Sequence, residues 1–216
     1  MSDLASLNVF IRGSRDYVQG TQIVSRTAEL LPDGDWKMTL CQFKKITKQI
    51  VGASLVENKS APSIGRAVFE NSLGQRLNYY FYNQEPSAAS MNTDMDIDWH
   101  LKRSTEPLCG TIYFQRLSSF ESGLNVMVQG VKELHSMLNN SVHDVWWTGL
   151  RGGALNVKWK ESLTAGQINV NPIRILANNG SYQSLVQLNW AFEGVEDKLK
   201  CFVSFVVKSQ EEIYVS

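Results

Sequence analysis

The sequence predicts an α+β protein built from two versions of one unit, each a strand, a helix and four or so further strands. Three observations carry this reading. The first is an internal repeat. Residues 8–32, NVFIRGSRDYVQGTQIVSRTAELLP, read as a short apolar strand, a polar turn ending in Gly20 and an amphipathic helix. Residues 111–139, TIYFQRLSSFESGLNVMVQGVKELHSMLN, return to that layout about a hundred residues later. With Gly20 set on Gly123 the two align without a gap: Ile11 on Phe114, Tyr17 on Phe120, Ile23 on Val126, Val24 on Met127, Ala28 on Val131 and Leu31 on Leu134. The second observation is that after each helix the apolar period changes from that of a helix to two. The third is that neither helix can shed water from its apolar face alone. A curved antiparallel sheet wrapped around a central helix is the economical solution, and two such units can join edge to edge around paired helices.

The first unit is expected over residues 1–83, a linker over 84–108 and the second unit over 109–216. Leu7 to Ile11 is a strand and the helix starts near Thr21, its N-cap. Ile23, Val24, Ala28 and Leu31 share one face, and Pro32 with Asp33-Gly34 ends the helix. Trp36, Met38 and Leu40 alternate with Lys37, Thr39 and Cys41 as a strand. Further strands follow at Gln49 to Glu57, Ile64 to Glu70 and Arg76 to Asn83, with Ser72-Leu73-Gly74 as a hairpin turn. The linker has little periodicity and is long for a loop, so it has room for a functional segment or an extra strand.

The second unit opens with Gly110 to Phe114. Leu124, Met127, Val128, Val131, Leu134 and Leu138 recur at helical spacing, with Ser122 as the N-cap. Gly130 stands mid-helix at a cost of about 1 kcal/mol relative to Ala; a backbone approaching there, that of the first helix, would account for it. Strands are expected at Val142 to Gly149, Ala154 to Trp159, Gly166 to Ala177, Ser181 to Glu193 and Lys198 to Lys208. Asn178-Asn179-Gly180 and Gly194 to Asp197 are turns between them.

Composition narrows the function. A chain of 216 residues suits one large domain or two of roughly 100. Its formal net charge is zero and no basic stripe exists, so nucleic acid is not an expected partner. Hydrophobic residues make up 43% and charged ones 19%, a fairly apolar surface that suits self-association as a homodimer. Cys41, Cys109 and Cys201 are few and far apart, which reads as buried apolar thiols and not a disulfide framework. The N-terminal MSDLASLNVF lacks the pattern of a signal peptide, and no window approaches 18 uninterrupted apolar residues. The expectation is a cytoplasmic protein without a membrane span. His135, His143 and Asp144 are loosely grouped without a third ligand at a recognisable spacing, so no metal is expected. No nucleotide-binding pattern occurs, and Arg151-Gly152-Gly153 reads as a lone turn; no cofactor is expected.

The repeat and its topology resemble the hotdog fold in its double form, in which one chain carries both halves of what is elsewhere a homodimer. The resemblance covers nearly the whole chain and rests on layout, not on a signature motif. It implies an enzyme of the acyl-thioester hydrolases, hydroxyacyl dehydratases or related acyltransferases and decarboxylases of polyketide pathways. The substrate would be an acyl group on coenzyme A or on the pantetheine arm of an acyl carrier protein. It would lie at the junction of the halves, near the start of a central helix. The first N–H groups of a helix carry partial positive charge and can polarise a thioester carbonyl.

The matching stretches are Tyr17-Val18-Gln19-Gly20-Thr21 and Phe120-Glu121-Ser122-Gly123-Leu124. The resemblance therefore implies Gly20, Thr21, Gln22, Glu121 and Gly123 as substrate-binding residues, with each glycine allowing close approach. Tyr17, Asp16 and Asn125 are the catalytic candidates. Tyr17 could donate to a carbonyl or act as a nucleophile; the bland reading is a half-buried aromatic. Arg15 and Asp16 could position a polar substrate or form a solvated turn. Thr21 and Gln22 could equally cap and cover the helix start. Asn125 is the polar candidate facing the first copy across the junction. Glu121 could be a general base or an exposed turn acid. His100, beside Asp96 and Asp98, could fold over the site from the linker or lie on a surface loop. Trp146, Trp147, Trp159, Trp190 and Tyr79 to Tyr82 are core or interface aromatics, or the lining of an acyl tunnel. The dehydratase branch carries His where this chain has Tyr17 and Phe120, so hydrolysis, acyl transfer or decarboxylation is favoured over dehydration. Two rival readings remain: a non-catalytic acyl-binding or assembly protein on the same shell, and an unrelated all-β structural or coat-like protein.

Overall fold

A computed structural model of the chain describes residues 4–12, 17–91, 97–106, 108–138, 142–153, 155–157, 165–178, 181–193 and 199–209. Two compact units are present: Met1–Asp96 with Leu155–Lys158, and Ile97–Ala154 with Trp159–Ser216.

The first unit contains β1 (Ala5–Leu7), β2 (Ile11–Arg12), α1 (Gly20–Ala28), β3 (Lys37–Phe43), β4 (Gln49–Ser54), β5 (Gly65–Glu70), β6 (Arg76–Ser87) and β7 (Ser90–Met91). Its antiparallel sheet runs β1-β4-β6-β5-β3, and β2 pairs in parallel with β7. The single strand expected over Leu7 to Ile11 is broken. The Val9 N–H turns back to the Leu7 carbonyl at 3.0 Å, an i to i+2 turn that interrupts the pairing. In β3 the alternation slips. Met38 is fully buried, but a register shift between Met38 and Leu40 carries Cys41 inward in place of Leu40. An extra residue in one strand exchanges the faces of everything after it. The hairpin at Ser72-Leu73-Gly74 forms as expected. The Asn71 side-chain oxygen accepts from the Leu73 and Gln75 N–H groups, and Gly74 takes φ +75°, which favours glycine.

Helix α1 begins at Gly20 with Gln19 as N-cap, one residue before the start expected at Thr21. Glu29 caps it three residues before the sequence reaches Pro32. Its burial is wider than one face, taking in Thr21 to Ser25 and Thr27. The Thr27 hydroxyl satisfies itself by donating to the Ile23 carbonyl at 2.8 Å.

The second unit contains β8 (Asp98–Arg103), β9 (Gly110–Gln115), α2 (Phe120–Leu138) and β10 (Val142–Arg151). After the two-residue β11 (Leu155–Asn156), which pairs with β3 in the first unit, come β12 (Gly166–Asn178), β13 (Ser181–Phe192) and β14 (Leu199–Ser209). The sheet of this unit is antiparallel in the order β10-β14-β13-β12-β9-β8. β13 alternates without a fault: Tyr182, Ser184, Val186, Leu188, Trp190 and Phe192 are buried and their neighbours are not. Of the strand expected over Ala154 to Trp159 the described part is β11. The turns at Asn179-Gly180 and Gly194 to Asp197 lie outside the described residues, as does Trp159. β12 and β13 pair up to Asn178 opposite Ser181, leaving a two-residue connection. Stretch 84–108 carries the end of β6, then β7 and β8.

Helix α2 packs against β8, β9 and β10. From Phe120 to Val128 it is buried on every side, the mark of a central helix. Its first turn is closed by a reciprocal pair. The Ser119 Oγ accepts from the Ser122 N–H at 3.1 Å, and the Ser122 Oγ accepts from the Ser119 N–H at 3.0 Å. Ser119, not Ser122, is therefore the residue before the helix. Gly130 makes room for a strand of its own unit: a Cβ there would collide with the Ile112 side chain of β9.

Gly130→Ala should therefore destabilise. Helix propensity offers about 1 kcal/mol, but overpacking against a fully buried Ile112 costs about 1–3 kcal/mol. In an Ile112→Ala background the sign should reverse. Urea midpoints of the four proteins in the cycle measure this; equal effects of Gly130→Ala in both backgrounds would dismiss the clash.

Candidate functional site

The start of α1 gathers three of the expected residues, Gly20, Thr21 and Gln22, in one turn. Val18 anchors the approach: its N–H donates to the Thr47 carbonyl at 2.8 Å, and it bridges Ile11. Tyr17, just before it, is half-buried. Arg15 and Asp16 lie outside the described residues. Gln19, Gly20, Thr21 and Gln22 then form the first turn, with the Thr21 hydroxyl donating toward Gln19 Oε1 at 3.4 Å. Thr21 and Gln22 are 2% and 1% exposed, so they are part of the interior and not a solvated cap. The space beside Gly20 is taken by a side chain: a Cβ there would lie 2.6 Å from Phe43 Cε2. The glycine admits an aromatic ring to the helix.

Gln22 is the distinctive group. Its Oε1 accepts from the Phe10 N–H at 2.6 Å, tying the helix to the strand segment before it. Its Nε2 is buried and has no acceptor among the described residues. Leaving a buried donor unmet costs about 1–3 kcal/mol. An oxygen brought to that nitrogen would recover part of the cost. It would also meet the positive end of the helix. This is what the arrangement can do chemically: hold and polarise a carbonyl.

The start of α2 is built from the second set. Phe120, Glu121, Ser122 and Asn125 are 5%, 6%, 1% and 7% exposed. The burial of Glu121 corrects the expectation of an exposed turn acid. Gly123 falls in the fourth helical position, whereas Gly20 is the first residue of α1. The glycine alignment therefore sets the two helix starts three residues apart. The chain enters α2 through Arg116, which adopts φ +58°, a left-handed conformation at the turn out of β9.

A third polar group surrounds His135, which the sequence offered only as a loose metal candidate. His135, on α2 and with no exposed surface, lies between two hydroxyls of β13: its Nδ1 is 2.7 Å from Tyr182 Oη and its Nε2 is 2.9 Å from Ser184 Oγ. The Tyr182 and Phe205 rings pack on it, each with centroids 5.5 Å away. Burial lowers the imidazole pKa from 6.5 to about 4 and pushes the Tyr182 phenol up. A serine beside a histidine has the form of a nucleophile and its base. Here both are sealed in the core, so the cluster is a closed structural network. A signal existed: Ser184 stands in phase with the inward apolar positions of β13.

The remaining candidates divide. Both nitrogens of His135 are occupied, and the side chains of His143 and Asp144 lie outside the described residues. Among the described residues no three His, Cys, Asp or Glu side chains are arranged to hold a metal ion. His100 sits on β8 and not on a loop, exposed and stacked on Tyr113 at 4.9 Å. Cys41 and Cys201 are buried and their thiols are raised by desolvation, Cys201 to about 12. Cys109 is only half-buried, its Sγ 3.6 Å from Glu106 Oε2. No described helix is long and apolar enough to cross a membrane.

No protein-family model matches the chain, and no curated protein sequence does. Solved structures do. An acyl-CoA thioesterase II from Mycobacterium marinum is 8% identical, with a TM-score of 0.52 over 99% of this chain and 97% of that one. A putative thioesterase II from Thermobifida fusca is 8% identical, with a TM-score of 0.52 over 92% and 88%. A protein of unknown function with a hotdog fold, from Alicyclobacillus acidocaldarius, is 8% identical at 0.50 over 92% and 89%. The chain has the hotdog fold.

Proposed function

We propose that the protein acts on an acyl thioester carried by coenzyme A or by an acyl carrier protein, with one chain bearing both repeats of a double hotdog. The observation that carries this is the unmet Nε2 donor of Gln22, buried in the first turn of α1. A thioester carbonyl seated there would accept from Gln22 and from the first N–H groups of the helix. The developing oxyanion would be held more tightly than the ground-state carbonyl, which is the condition for acceleration. Tyr17 and Asp16 would orient the substrate or the attacking water, and Gly20 and Thr21 would shape its seat; Asn125, Glu121 and Gly123 are the corresponding candidates at the start of α2. Hydrolysis, or a related transfer or decarboxylation, suits the site better than dehydration, since Tyr17 and Phe120 stand where a histidine would be needed. The likeness to two thioesterase structures supports the same reading.

A panel of acyl-coenzyme A and acyl-carrier substrates, followed by release of free thiol, tests it. Gln22→Leu should lower kcat/KM by about a hundredfold, the usual effect of losing one oxyanion donor. Tyr17→Phe and Asn125→Ala should each lower it about tenfold or more. Turnover unchanged in all three would remove the start of α1 from the chemistry. Thioester binding without turnover would favour the non-catalytic acyl-binding reading.

A further inference from the structure

β8 ends the sheet of the second unit. Among the described residues β9 alone pairs with it, and its other edge meets none of them. An unpaired edge is a template for another chain, and proteins usually guard it with charges that would repel one another. The charges on β8 have a different arrangement. Asp98, His100, Lys102 and Arg103 are exposed, while Trp99 and Leu101 are half-buried.

We propose that β8 is the self-association strand of this protein: two copies pair β8 to β8, antiparallel, about a two-fold axis at His100. Symmetry and the pleat limit the registers. In a continuous antiparallel sheet, directly opposed residues point to the same face, so residues of even number must meet even and odd must meet odd. The register centred on His100 pairs Asp98 through Lys102. It sets Asp98 against Lys102 of the second copy, and Lys102 against Asp98. On the other face it sets Trp99 against Leu101, again twice. Two opposite-charge pairs and two apolar pairs result, the combinations that stabilise cross-strand neighbours. Shifting the centre to Leu101 loses this, since His100 then meets Lys102 and Trp99 meets Arg103.

Tyr113 supplies a second observation. It lies opposite His100 on β9 and holds the imidazole stacked at 15° between planes. Doubling β8 about His100 makes a row of four rings, Tyr113 and His100 from each copy, across the axis. A chain with zero net charge has no long-range repulsion to oppose the approach.

The proposal does not depend on the chemistry at α1, and its test reads mass, not turnover. Sedimentation velocity over a range of concentrations should show a monomer–dimer equilibrium. Asp98→Lys turns two attractions into two repulsions and should weaken the dimer about tenfold or more; adding Lys102→Asp should restore it. In a Cys109→Ser background, mild oxidation of His100→Cys should give a disulfide-linked dimer, because directly opposed Cβ atoms lie about 4.5–5.5 Å apart, close to disulfide reach. Trp99→Cys, which would face Leu101, should not crosslink. Circular dichroism checks that each variant is folded, and should the charge variants unfold, the cysteine pair still decides. A monomer at every concentration, or a dimer in which oxidised His100→Cys forms no crosslink, overturns the proposal.

Discussion

Lowering the pH from 7 to 4 is expected to remove about 3 kcal/mol of stability through one side chain, His135. Burial holds its pKa near 4, against 6.5 for an ordinary imidazole. In the unfolded chain the imidazole regains the ordinary value. Between the two values the unfolded state binds a proton that the folded state refuses, so stability falls as pH drops. The contribution is complete above about pH 6.5, declines through the interval and levels off below about pH 4. For a chain of this size the loss corresponds to roughly 10 °C in Tm. Carboxylates also titrate in this range, so the readout is a comparison of slopes. His135→Phe should flatten the dependence of Tm on pH between 6.5 and 4. It should also lower stability at pH 7 by about 2–4 kcal/mol, because Tyr182 Oη and Ser184 Oγ lose their buried partner. Parallel pH profiles for the two proteins would show that the proton is taken up elsewhere.

Trp190→Ala is expected to cost about 3–5 kcal/mol. Trp190 is fully buried on β13, and its ring centroid lies 5.8 Å from both Phe114 and Phe192. Phe114 and Phe192 also meet edge-on at 5.9 Å, which closes a cluster across β9 and β13. The Trp190 side chain opposes part of the rise that burial imposes on the Cys201 thiol of β14. Truncation would open a cavity beneath the sheet that the two phenylalanine neighbours, fixed in their strands, cannot refill. Trp190→Phe keeps most of the volume and should cost about half as much. Guanidinium midpoints of the three proteins give the comparison, and a cost below about 1 kcal/mol for Trp190→Ala would mean that the cluster rearranges to fill the gap.

The residues at the start of α1 were legible as a group, because a strand, a polar turn and an apolar period of 3.6 are local patterns. Their environment was not. Thr21, Gln22 and Glu121 read as capping or solvated groups, since a hydrophobic stripe reports only the apolar face of a helix. Both helix starts are buried more widely than their stripes, so polar residues beside the stripe go inside as well. The role of Gln22 depends on Phe10, twelve residues away in the chain. That of Gly20 depends on Phe43, and that of Gly130 on Ile112. No spacing rule contains such pairs.

Local chemistry in the sequence determined the order of elements and the position of the long strands. β13 is the clearest case, where one buried face enforces alternation for twelve residues. The tertiary structure decided whatever depends on a neighbour distant in sequence. It slipped β3 by one residue, drew Asp98–Arg103 into an edge strand with only Trp99 and Leu101 half-buried, and enclosed His135 between two hydroxyls. The physical reason is the same throughout. A chain encodes its own backbone preferences residue by residue, whereas burial, an unmet donor or a displaced proton exists only once distant segments have removed the water between them.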